Sequence, residues 1–322
     1  MKSDKRIDNW FLGKGKSIKA KNQMGGSNLS FKKGTGVTNL ISAARKQPEV
    51  MVKIPARTAK TNGMGAIKNH IDYISRNGKV DIENQDGEII TGKPNIKENV
   101  INEWKLQGIP EISKYRESLN VVLSMPAGTP PDAVHRAARE FAKEVFKDHQ
   151  YVMALHTDEP HPHVHLCVMI RDLNGKRMNP RKNDLFQWRV KFAEKMREQG
   201  IDCAATKRQH RGQTQKGENS IITSIKKRGG KSTIEEKIIT DLAEAMKQEK
   251  KPDNDFIKRQ LDTRNLVIDQ YKEISKLLYI SGYKKEANLI SKLSKDVEQA
   301  STNTRIQSRY ESMLEQDQEI DR

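Results

Sequence analysis

Aromatic residues make up only 5% of this 322-residue chain and hydrophobic residues 34%. That is lean for a protein globular from end to end, and it implies that part of the length is extended or disordered. Cysteine occurs twice, at Cys167 and Cys203, which excludes a disulfide framework and a cysteine-based zinc site. No apolar run is long enough to span a bilayer, and residues 1 to 20 lack the apolar core of a secretion signal. Synthesis and residence in the cytoplasm are therefore expected. Passage through another machine at a later stage would leave no such mark.

Acidic residues are also in short supply, 42 against 59 Lys and Arg, for a net charge of +17. The excess is segmental: residues 1 to 60 net +11 and residues 206 to 232 net +7, so the remainder is close to neutral. Basic segments of this kind suit arms that lie along a polyanion, and nucleic acid is the leading partner. Residues 11 to 48, rich in Gly, Ser, Asn and Lys, show no sustained apolar face and read as a flexible arm rather than a membrane-surface helix.

What the chain does contain is periodicity in its middle. Ile67, Ile71 and Ile74 fall at i, i+4, i+7 and predict a helix of about three turns that stops near Asn77-Gly78. "SLNVVLS" (118 to 124) reads as a strand, followed by a helix entered at Pro130-Pro131 behind Thr129 as N-cap, burying Val134, Ala137, Ala138, Phe141 and Val145. "QYVMALH" and "HVHLCVMI" read as two strands separated by "TDEPHP", and "NDLFQWRVKFAEKMREQG" as an amphipathic helix ending at Gly200, with Trp188 in its core stripe. This order suggests an α+β sandwich with helices backing a largely antiparallel sheet. Residues 233 to about 314 read as helices broken near Pro252 and Ser281-Gly282, without a chemical constellation.

Four of the eight histidines lie in "HTDEPHPHVH", residues 156 to 165. In a strand, residues two apart project from one face, so His163 and His165 point together while Val164, Leu166 and Val168 pack on the other. The short turn brings His156 alongside. Three imidazoles can then converge on one ion with positions left open for substrate, as in a catalytic metal site. His161 is out of phase with the pair. Asp158 could ligate, orient a histidine or accept a proton. Imidazoles suit Zn, Mn, Fe or Ni, whereas Mg would need additional oxygen ligands.

The pattern "HTDEPHPHVH" resembles the HUH motif of conjugative relaxases. The likeness extends over roughly residues 62 to 212: "AIKNHIDYISRNGK" is similar to the segment bearing the family's nucleophilic tyrosine, "SLNVVLSMPAGTPPDAVHRAAREFAKEVF" to its preceding strand and helix, and residues 174 to 212 to the region after the histidines in the mobilisation-nuclease branch that includes the VirD type. The resemblance implies an α+β fold with a five-stranded antiparallel core and a divalent ion, Mg or Mn, on His156, His163 and His165. It implies Tyr73 as nucleophile and Ser124 near the DNA. The activity it implies is nicking of one strand at a plasmid transfer origin through a reversible 5′-phosphotyrosyl link, which starts conjugative or mobilisation transfer. Relaxosome accessory proteins and a secretion coupling protein would be partners, and the protein could cross to a recipient cell bound to its strand. The sequence departs from the family in placing the tyrosine far from the amino terminus and in reading Lys68-Asn69-His70-Ile71 before it, where the VirD type commonly has Asn-Gln-Leu.

The expected organisation is a flexible basic arm (1–60), a relaxase domain (61–212), a basic linker (213–232) and a helical carboxy-terminal region (233–322). Tyr73 lies on the flank of the isoleucine stripe, beside His70, so it need not be buried. Arg76, Arg177, Arg181, Lys182, Lys207, Arg208 and Arg211 are the expected DNA contacts. Three other readings fit parts of the pattern: a rolling-circle replication initiator with a later tyrosine, a non-catalytic DNA-binding accessory protein, and a metal phosphohydrolase using water. No small-molecule substrate is expected.

Overall fold

The computed structural model describes residues 2–13, 29–55, 62–215, 217 and 220–320, in two compact units, residues 1–206 and 207–322. The first unit opens with α1 (Lys2–Leu12), α2 (Thr35–Ala44), β1 (Met51–Lys53) and α3 (Met64–Ile74). Two short strands, β2 (Ile82–Asn84) and β3 (Ile89–Ile90), precede a helical run comprising α4 (Lys93–Ile96), a π-helical stretch Lys97–Asn102 and α5 (Glu103–Leu106). Then follow β4 (Ser118–Ser124), α6 (Pro131–Val145), β5 (Tyr151–His156), β6 (His163–Met169) and α7 (Lys182–Glu198).

The strands form one antiparallel sheet in the order β1-β4-β6-β5-β2-β3. The α+β class holds, with six strands where five were expected. The two edge strands are short, three residues in β1 and two in β3, too few for an alternation to register in sequence. On one face, Ile67, Ile71 and Ile74 of α3, all fully buried, pack with Val152, Ala154 and Cys167. Each isoleucine removed from water contributes about 1.5–3 kcal/mol. On the other face, Phe141 and Phe146 at the end of α6 meet Phe192 and Trp188 of α7 edge to face, at centroid distances of 6.1 and 5.2 Å. The α6 helix begins at Pro131 behind Pro130. Thr129 does not cap it, because its hydroxyl donates instead to the Pro126 carbonyl at 2.9 Å.

The amino-terminal segment differs from the expected arm. Phe11, Leu12, Leu40 and Val50 are buried, and Asp8 accepts from the N–H groups of Gly34 and Gly36 at 2.9 and 2.6 Å, neutralising the open donors at the start of α2. The buried Lys191 ammonium donates to the Ser30 carbonyl at 2.6 Å and pairs with Glu144 at 2.7 Å, tying the segment to α7 and α6. Residues 1, 14–28 and 56–60 of the expected arm lie outside the described residues.

In the second unit, a 3₁₀ turn at Arg208–Arg211 leads to α8 (Ser220–Lys227), α9 (Thr233–Lys247), α10 (Ile257–Ile280), α11 (Lys284–Gln299) and α12 (Arg305–Ile320). The expected linker 213–232 thus contains a helix. Ser232 caps α9 by accepting from the Glu235 N–H at 3.2 Å. Val267, Tyr271 and Ile274 of α10 and Ile290 and Val297 of α11 form the buried stripes of a helical hairpin turned at Ser281-Gly282. Among the described residues no helix is long and apolar enough to cross a membrane.

Candidate active site

Strand register assembles the histidines. His163 lies opposite His156 on β5 and Ser124 on β4, and His165 lies opposite Ala154 and Val122. One ligand atom from each of His156, His163 and His165 falls within 4.8 Å of the others, close enough for one ion to bridge all three. The rings stand 4.6 to 5.3 Å apart between centroids.

The backbone orients two of these rings. His163 Nδ1–H donates to the His161 carbonyl at 2.9 Å, leaving Nε2 to face a ligand. His156 Nε2–H donates to the Ile74 carbonyl at 2.7 Å, so its Nδ1 carries the available lone pair. Ile74 ends α3, and the histidine satisfies one of the carbonyls a helix leaves open there. His165 Nδ1 is buried without a hydrogen-bond partner, an orphaned nitrogen that fits a metal-binding cluster. Burial, and after it repulsion from the neighbouring imidazoles and Arg76, pushes His165 down to about 3; burial lowers His156 as well. Neutral imidazole is the form that ligates a cation.

The end of α3 is fixed against this cluster, and Tyr73 is carried with it. The Tyr73 ring is half exposed, 5.4 Å from His165 and 6.1 Å from His156 between centroids, and stacks on His70 at 6.2 Å. The chain leaves the helix through Arg76 (φ 50°), Asn77 (φ 57°) and Gly78 (φ 85°), three consecutive left-handed residues of which two have side chains. Arg76 then reaches back over the Tyr73 ring, its guanidinium carbon 5.3 Å from the centroid, and pairs with Asp158. A cleft of about 830 Å³ opens here, lined among others by His70, Tyr73, Asn120, Ser124, His163 and His165.

The site residues expected from sequence divide into groups. Tyr73, Arg76, Ser124 and the three histidines come together, with Asp158 beside them through Arg76 instead of in the histidine cluster. Arg177 does not join them. It binds Glu117 at 3.0 Å and the Arg116 carbonyl, and bridges to Arg171 just past the far end of β6, about 20 Å along the strand from His163. Its charge is absorbed by an ion pair that sequence spacing could not reveal. Arg181 and Lys182 begin α7 in the layer behind the sheet, where the Arg181 N–H donates to Asp184. Lys207, Arg208 and Arg211 belong to the second unit. Sequence reasoning missed the orienting carbonyls of Ile74 and His161, which leave no trace in side-chain identity. It also missed Asn120, on the cleft floor two residues from Val122 and four from Ser124.

Comparison with known proteins bears on the same residues. Residues 73–201 match the family model for relaxases, described as the MobA/VirD2-like nuclease domain, and the matched segment begins at Tyr73. The T-DNA border endonuclease VirD2 of Agrobacterium fabrum is 29% identical over 192 residues, 52% of this chain and 42% of its own length. VirD2 of Rhizobium radiobacter is 30% identical over 188 residues (51% and 43%), and that of Rhizobium rhizogenes 29% over 188 (51% and 42%). The match therefore covers less than half the length of these relatives. A solved structure described as "Molecular Basis of Vancomycin Resistance Transfer in Staphylococcus aureus" aligns with 50% of this chain and 99% of its own at 14% identity, with a TM-score of 0.30. In the matched segment the tyrosine stands before the histidine strands in sequence and against them in space.

Proposed function

We propose that the chain is a relaxase that cuts one DNA strand at a transfer origin by attack of Tyr73 on a phosphodiester. The observation carrying this reading is the half-exposed Tyr73 ring lying edge-on to His165, 5.4 Å away, in a cleft that it lines with His163 and His165 of the three-histidine cluster. The imidazole set fits a divalent ion, with Mn more compatible than Mg unless phosphate and water oxygens complete the shell. Such an ion would withdraw charge from the scissile phosphate and stabilise its transition state, worth several kcal/mol.

The chain supplies the remaining chemistry. A tyrosine hydroxyl ordinarily has a pKa of about 10 and must lose its proton to attack at neutral pH. Attack forms a Tyr73–phosphorus bond and releases the 3′ hydroxyl. One ester replaces another, so the step is reversible and the 5′ end stays attached. That outcome suits strand transfer better than degradation. Ser124, across from His163, is placed to hold the strand. Accessory proteins, a coupling protein, cytoplasmic residence and passage to a recipient cell belong to the same reading.

The test uses the full chain and single-stranded oligonucleotides tiled along the DNA that encodes it, with Mn or Mg, resolved on denaturing gels. A strand carrying bound protein on its 5′ side, lost in Tyr73→Phe and in chelator, is expected. Cleavage by Tyr73→Phe at the wild-type rate would leave a later tyrosine or a water as nucleophile and overturn the assignment.

A further inference from the structure

Neutral His156 has a single lone pair to offer a metal. Its Nε2–H is committed to the Ile74 carbonyl at 2.7 Å, so that lone pair is on Nδ1. Arginine can only donate, and Arg76 Nη2 donates to this same Nδ1 at 3.3 Å while the guanidinium also holds Asp158. An ion and Arg76 cannot both use His156. We infer that Arg76 is a placeholder for the ion: it occupies the coordinating nitrogen of His156 until metal enters, and metal entry frees its guanidinium for a DNA phosphate in the cleft. This rests on the reading of the histidine cluster as a metal site in a DNA-cutting enzyme.

Three features support an exchange over a permanent contact. First, Arg76 is held by backbone strain, since it and Asn77 adopt left-handed conformations that cost L-residues energy; such strain persists where the surrounding structure imposes it. The imposing contacts are at hand: the Asn77 N–H donates to Asp72 at 2.7 Å and the Val80 N–H to Ser75 at 2.8 Å, closing the turn tightly behind α3. Second, the pair that anchors the guanidinium is wet, with side chains 36% and 54% exposed, so water can replace either partner cheaply. Third, a dication on the three histidines repels a guanidinium beside it, and a strand phosphate next to Tyr73 offers a bidentate acceptor of the geometry arginine prefers. Metal loading would thereby couple to strand binding through one side chain.

The experiment measures Mn binding to the full chain by the loss of free-Mn paramagnetic resonance signal, for the wild type, Arg76→Lys, Arg76→Gln and His163→Ala. Lysine keeps the charge but replaces the planar guanidinium whose Nη2 meets both Asp158 and His156. Both Arg76 variants should bind Mn about five- to tenfold tighter than the wild type. Tightening in Arg76→Gln alone would reduce the effect to charge, and no change in either would remove it; both results overturn the placeholder. Loss of binding in His163→Ala with unchanged Arg76 variants would leave the metal site standing and the inference refuted. No Mn binding by the wild type would bring down the metal reading first.

A second measurement addresses the released arginine. For single-stranded DNA, each phosphate contact contributes about 0.7 to the slope of log affinity against log salt. Arg76→Gln should lower that slope by about 0.7 with Mn present and leave it unchanged in chelator. Equal slopes with Mn present would show that the freed guanidinium does not reach a phosphate.

Discussion

Replacing Glu83 by Gln should destabilise the first unit by about 3 kcal/mol at neutral pH, with a loss that fades in acid. Glu83, on β2 beside the histidine strand β5, is 2% exposed and accepts from Arg139 Nη2 of α6 at 2.8 Å and from His135 Nε2 at 3.3 Å. Burial alone would raise its carboxyl, but hydrogen bonds from His135 and Arg139, with the Arg139 charge, hold it down to about 2, against 4.5 for an ordinary glutamate. A shift of that size corresponds to about 3 kcal/mol, similar to breaking a buried ion pair from one side. A depressed carboxylate contributes its full stability above the unfolded pKa and loses it as pH falls through the folded one. The contribution is therefore complete above about pH 5 and falls to about 1.4 kcal/mol near pH 3. Urea unfolding of wild type and Glu83→Gln at pH 7 and at pH 3 to 4 reads this directly. A difference that stayed constant across that range would refute the ionic origin of the anchor.

Removing the buried methyls of Ile71 by Ile71→Ala should cost about 2–5 kcal/mol in urea unfolding, because that side chain is fully enclosed between α3 and the sheet; a loss below 1 kcal/mol would mean that α3 is not packed as described. Mn at a hundredfold excess over its dissociation constant should stabilise the chain by about 2.7 kcal/mol, raising its melting temperature by several degrees, with no rise in His163→Ala. The pH dependence of that binding should be shallow. His165 is held down to about 3 and His156 is lowered too, so fewer protons leave on loading; log affinity against pH should have a slope below two between pH 5 and 6, where three ordinary imidazoles would approach three.

The centre of the molecule was legible from sequence and its edges were not, for physical reasons. His163 and His165 are two apart on an apolar strand, and Ile67, Ile71 and Ile74 follow the helical period, so local pattern located the histidine strand and the helix that carries Tyr73. The first 55 residues misled because lysines and glycines dominate their average, while a few of their residues, such as Phe11 against Phe186 and Val50 bonded to the Ala204 carbonyl, find partners far along the chain. Lys191 is buried 161 residues from the Ser30 carbonyl that receives it, a pairing no window of sequence contains. The same holds for Arg177, which looked like a phosphate contact and is paired with Glu117. Orientation of the histidines also lay beyond reach, since the carbonyls of Ile74 and His161 do the orienting.

The central claim is that Tyr73 itself becomes joined to DNA. Digestion with trypsin would cut after Lys68 and Arg76, releasing a peptide of residues 69–76 in which Tyr73 is the sole tyrosine. Mass spectrometry of the adduct trapped on a single-stranded substrate should find that peptide enlarged by a nucleotide remnant linked through phosphate. The same remnant on a peptide bearing Tyr115, Tyr271 or any other tyrosine, or its absence from a cleaved reaction, would contradict the assignment of Tyr73.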